Sequence, residues 1–92
     1  MRSVAIRAFR GTRRSSVYRE HLLDEGSFAR IAADWPREFD QQGARRLAEE
    51  LTALRASAVL LDLDDHLTAI AELARWCARA GGDGWLRIEH RA

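Results

Sequence analysis

The sequence predicts an α/β fold, a small three-stranded sheet in the order β-α-α-β-α-β with helices packed on it and the last two strands parallel. Three observations carry that expectation. Residues 58–63 are a largely apolar run of strand length, segments near both ends alternate apolar with polar residues, and long stretches between them repeat apolar residues every three or four positions. Ninety-two residues suit a single domain, 1–92, because a second would leave neither half enough apolar area to bury.

The elements follow in order. Val4 to Arg10 reads as a strand of good strand formers closed by Gly11. From Val17 to Trp35, the residues Val17, His21, Phe28, Ile31, Ala32 and Trp35 share one arc of a helical wheel, which predicts one bent helix or two short ones. Ser15 or Ser16 would cap the first and Ser27 the second. Pro36 suits the opening turn of the next helix, about Arg37 to Arg55, whose inner face is Ala44, Leu47, Ala48, Leu51 and Leu54. The apolar run Ala58-Val59-Leu60-Leu61-Asp62-Leu63 predicts a central strand covered on both faces. Asp64 or Asp65 then caps a last helix reaching about Ala80, with Leu67, Ile70, Ala71, Leu73, Ala74, Cys77 and Ala78 inward and Gly81 as its stop. Trp85 to His90 alternates as a half-exposed strand at an open sheet edge. A strand–helix–strand crossover is right-handed, so the last two strands are expected to run parallel.

Composition narrows the function classes. All fifteen basic residues are arginine, the mark of a GC-rich and bacterial genome, so arginine count alone argues weakly for phosphate binding. The net charge of +1 hides an asymmetry: residues 1–19 hold six arginines and no acid, and the remainder holds nine arginines against fourteen acids. No run approaches the ~20 apolar residues that span a bilayer, and charge at Arg2 and Arg7 interrupts the apolar stretch an export signal needs. A single cysteine, Cys77, fits a reducing compartment, so the expected location is cytoplasmic, without membrane association.

Three groups of residues could carry function. Trp76 lies ~60° outside the apolar arc of its helix, and Trp85 shares a strand face with Arg87. Tryptophan and arginine dominate the energetic centres of protein interfaces, so Trp76, Trp85 and Arg87 are candidate partner-binding residues. Arg7, Arg10, Arg13 and Arg14 flank a glycine turn expected to feed a helix N-terminus, an arrangement that suits nucleic acid or phosphate. Asp62 and Asp64 stand at the carboxyl end of the apolar run, at the i and i+2 spacing by which two carboxylates can share a divalent cation. No histidine pair has helical metal-site spacing, no catalytic constellation is visible, and no cofactor is expected.

The run Asp62-Leu63-Asp64-Asp65-His66 resembles the first motif of haloacid dehalogenase-like phosphatases over about eight residues, with His66 where that family has threonine. The resemblance implies Mg²⁺-dependent phosphoryl chemistry at Asp62 and Asp64. The expected element order, with Asp34-Trp35-Pro36-Arg37-Glu38-Phe39, resembles the barstar-like ribonuclease inhibitors; Gln42, Gly43, Ala44 and Arg45 stand where their inhibitory helix is acidic. The rhythm from Leu47 to Ile88 is similar to that of anti-sigma-factor antagonist domains, without their phosphorylated serine. Topology does not fix function, and the chain is assigned to none of the three. The leading expectation is a small non-catalytic protein-binding module of the bacterial inhibitor, immunity or regulatory kind, with a protein partner or self-association. Nucleic-acid binding through the arginine-rich end comes second, and metal-dependent phosphoryl chemistry third.

Overall fold

The computed structural model describes residues 2–11, 17–79 and 83–91. The described elements are strand β1 (Ser3–Arg10), strand β2 (Val17–Asp24), helix α1 (Glu25–Ala32), strand β3 (Glu38–Phe39), helix α2 (Gln41–Ser57), helix α3 (Asp64–Ala78) and strand β4 (Trp85–Arg91). The class is α/β, as expected, but the sheet has four strands in the order β2-β1-β4-β3, and every neighbouring pair is antiparallel. The expected parallel pair is therefore corrected, and with it the element order on which the barstar-like and antagonist-domain resemblances rested.

Two local corrections explain the difference. Residues 17–24 are a strand. Its inward positions include Arg19 and His21, and polar residues there hid the alternation, while Phe28 and Ala32 of the true helix lent the whole stretch a helical phase. Gly11 follows β1 at φ 96°, a conformation that favours glycine, and β2 pairs back along β1 with Arg10 opposite Val17. Asp24 caps α1 by accepting from the Ser27 backbone N–H at 2.8 Å and from the Ser27 hydroxyl at 2.7 Å. The expected caps Ser15 and Ser16 lie outside the described residues, as do Ala80 and Gly81.

The second correction concerns 58–63. Ala58 terminates α2 in the left-handed region at φ 58°, and the chain closes through a single 3₁₀ turn, Leu61–Leu63, into α3. Only Leu63 of the run is buried; Val59 and Leu61 are 71% and 72% exposed. The run joins two antiparallel packed helices, and the central sheet positions expected for it belong to β1 and β4 instead. Pro36 precedes β3, and Asp40 is the cap of α2, accepting from the Gly43 N–H at 2.7 Å.

The helices cover one face of the sheet. Val4, Ile6 and Ala8 of β1, Leu23 of β2, and Leu86 and Ile88 of β4 form one core with Phe28, Leu47, Leu51, Leu67, Ile70 and Cys77. The inward faces expected for α2 and α3 are the observed ones, with Leu54 and Ala78 only partly buried. Among the described residues no helix is long and apolar enough to cross a membrane.

Candidate interaction face

Among the described residues the opposite face of the sheet carries no helix, and strand register arranges its side chains in rows. Phe9 lies opposite Tyr18 on one side and Trp85 on the other. The next row sets Arg7 between Glu20 and Arg87, with Glu38 beyond Arg87. Ala5 then stands between Leu22 and Glu89, and Ser3 between Asp24 and Arg91. An alternating strand presents every second residue to one face, so this pattern is a direct product of register.

The aromatic row is contiguous. Phe9 and Trp85 stack at 3.9 Å between centroids with 11° between their planes, and Tyr18 tilts against Phe9 at 5.8 Å. The Arg7 guanidinium carbon sits 4.6 Å from the Tyr18 ring centroid and 5.2 Å from that of Phe9, and Arg87 lies 5.5 Å from Trp85. Tyr18 and Leu22 are half exposed, at 52% and 50%. Beside Trp85 and Arg87 a groove of about 500 Å³ opens toward Pro36, Glu38, Phe39 and Gly43.

Charge on this face is internally balanced. Arg7 approaches Glu89 at 3.3 Å and Glu20 at 3.6 Å, Arg87 reaches Glu38 at 3.0 Å, and Arg91 reaches Glu20 at 3.4 Å and Glu89 at 3.6 Å. Three arginines thus alternate with three glutamates. The Arg7 Nε–H is covered by neighbours without a hydrogen-bond acceptor, and the lattice around it is otherwise paired.

The remaining sequence candidates are placed elsewhere. Trp76 is on α3, half buried, with Arg10 at 4.9 Å and Arg19 at 5.2 Å from its ring. It belongs to the helical layer, so Trp76 and Trp85 do not share a surface. Trp85 was expected at an edge strand, but β4 lies between β1 and β3. Arg7 and Arg10 are divided between opposite sheet faces, and Arg13 and Arg14 lie outside the described residues. Asp62 is held bidentately by Arg30 at 2.6 and 3.2 Å, and Asp64 by Arg55 at 2.9 and 3.4 Å. Those hydrogen bonds keep both carboxyls below their ordinary range, Arg30 acting on Asp62 and Arg55 on Asp64. The two aspartates therefore face separate arginines, and among the described residues no group of three potential ligands could hold a metal ion. Cys77 is buried, and burial pushes its thiol up to about 11, which makes it a poor nucleophile.

One polar pair escaped the sequence because it depends on two elements 45 residues apart. His21 Nε2 and His66 Nδ1 lie 2.8 Å apart, joining β2 to α3. One ring must donate and the other accept, so at least one stays neutral. Burial first, and the neighbouring His66 charge second, hold His21 below its ordinary value of 6.5. The folded chain then binds this proton less readily than the unfolded chain does. Its contribution to stability is complete above about pH 6.5 and is lost as the pH falls below that value. Denaturation midpoints measured between about pH 5 and 8 should decline on the acidic side, and His21→Gln should flatten the decline. An unchanged slope in that variant would remove His21 as the cause.

Phe9, Tyr18, Glu20 and Leu22 were not singled out by sequence. The alternation of 17–24 could have revealed their shared face, but cross-strand register could not be read without the hairpin. Comparison of the chain with protein-family models, with curated proteins and with solved structures finds no match.

Proposed function

We propose that this chain is a non-catalytic protein-binding module of the inhibitor, immunity or regulatory kind, and that its binding surface is the helix-free face of the sheet. The observation that supports it most is the contiguous Tyr18–Phe9–Trp85 row bordered by arginines already neutralised by glutamates. A protein partner suits such a face: aromatic anchors supply apolar contact, and the charged lattice supplies a rim of matched polar groups. Nucleic acid suits it less. Phosphate contact needs uncompensated positive charge, and a base needs a free ring face, whereas Phe9 is covered by Trp85 on one side and approached by Arg7.

The test is capture from extract of the source cell at moderate salt, with and without nuclease, using three baits: the native chain, Trp85→Ala, and Ala53→Glu on the exposed side of α2. The expected result is a protein retained by the native chain and Ala53→Glu in both conditions and lost by Trp85→Ala. Loss after nuclease treatment would move the function to the arginine-rich end. Retention by Trp85→Ala with loss by Ala53→Glu would move the surface to the helical layer.

A further inference from the structure

A second surface, the outer edge of β2, adjoins that face and shares Tyr18 with it. β2 forms one edge of the sheet, and among the described residues nothing pairs with its outer side. The Glu25 N–H bonds back to the Arg2 carbonyl at 3.4 Å, continuing the β1–β2 ladder by one pair. Peptide direction alternates along a strand, so Leu23, His21 and Arg19 also direct their N–H and C=O groups toward β1. Tyr18, Glu20 and Leu22 therefore direct theirs outward, as a free row of donors and acceptors.

We infer that the chain forms a twofold dimer in which β2 pairs antiparallel with β2 of a second copy, with Glu20 on the axis. In that register Glu20 meets Glu20 and each Tyr18 meets Leu22 of the other copy, all through outward-facing peptides. Six backbone hydrogen bonds form, two for each pair of facing residues. The half-exposed side chains of Tyr18 and Leu22 cover one another twice on the helix-free face. Moving the register by one pairing step, so that His21 meets His21, sets Leu22 against Glu20 and Tyr18 against Asp24. The apolar match is then lost, and this selects the first register. The two Glu20 carboxylates that meet at the axis each bring Arg7 at 3.6 Å and Arg91 at 3.4 Å, so their repulsion is offset on both sides.

The helical side of the edge also has room. A groove of about 440 Å³ runs between β2 and α3, lined by Arg19, His21, Ala69, Glu72 and Leu73. In the dimer Arg19 lies opposite His21 of the second copy, beside the groove that carries Glu72, so opposite charges face each other across the contact. A strand-edge contact covers less than the roughly 800 Å² per partner of a standard complex, so dissociation in the micromolar range is expected. The product is one eight-stranded sheet with both aromatic rows on the same face.

Sedimentation of the native chain from about 1 to 500 µM should shift from one copy to two, and Leu22→Lys should raise the dissociation constant at least tenfold. In a Cys77→Ala background, Glu20→Cys should form a disulfide-linked dimer on mild oxidation, because directly opposed residues stand about 5.5 Å apart between Cα atoms. Leu22→Cys alone should not, since two Leu22 positions are about 14 Å apart in this register. A native chain that remains one copy throughout overturns the inference. A dimer that survives Leu22→Lys unchanged, or that cross-links through Leu22→Cys rather than Glu20→Cys, overturns it equally.

Discussion

Replacing Leu86 by alanine is expected to lower the unfolding free energy by about 2–5 kcal/mol, while Leu61→Ala should change it by less than about 0.5 kcal/mol. Both are leucines beside strand-like sequence, and their surroundings separate them. Leu86 has no exposed surface, lies between Ala8 and Phe39 in the sheet, and belongs to the core shared with α2 and α3. Truncating it removes buried apolar area and leaves a cavity that neighbours on both strands resist filling. Leu61 is 72% exposed in the turn between helices and has little to lose. For a chain of this size each kcal/mol moves the melting temperature by about 4–8 °C, so that of Leu86→Ala should fall by roughly 8–40 °C. Thermal melts of the two variants would decide the matter; a large loss at Leu61 would return residues 58–63 to the core.

Trp85→Ala is expected to weaken the partner complex about 30-fold or more, and Arg87→Ala by no more than about tenfold. A buried aromatic anchor at the centre of an interface commonly contributes at least about 2 kcal/mol. Arg87 stands between Trp85 and Glu38, with its charge already met at 3.0 Å, so losing it removes a rim contact and some packing on the tryptophan. Trp85→Ala also removes the 3.9 Å stack on Phe9, and its melting temperature must be read alongside its affinity. Titration at two salt concentrations gives a further mark, because a complex centred on aromatics with matched charges should lose little affinity between about 50 and 200 mM salt, unlike a phosphate complex.

The parts of the fold visible in sequence are those whose periodicity is undisturbed. β1 and β4 read as strands and the inner faces of α2 and α3 repeat cleanly, so these elements and their inward helical residues followed from pattern, whereas the central place of β4 in the sheet did not. β2 was obscured because two of its inward positions are Arg19, spread over Trp76, and His21, bonded to His66. Each is polar at a position the period assigns to an apolar residue, and each satisfies its polarity through α3, which only the folded chain supplies. The run 58–63 misled in the opposite sense, since its apolar residues look like a buried strand, yet Val59 and Leu61 face outward in a helix-to-helix turn. Those two segments also decide which side chains share the candidate face. Trp85 and Arg87 were named from their own strand, but the neighbours that make them a surface, Phe9 and Tyr18, depend on a hairpin hidden by β2. Asp62 and Asp64 looked like a cation pair because spacing along the chain says nothing of Arg30 and Arg55, which reach them from other elements.

The most direct test of the binding surface is amide hydrogen exchange of the chain alone and in complex with the protein it captures. Backbone groups of β1 and β4 around Phe9, Arg7, Trp85 and Arg87 should gain protection, with the exposed sides of α2 and α3 unchanged. Protection confined to the helices, with the strands exchanging as in the free chain, would contradict the account.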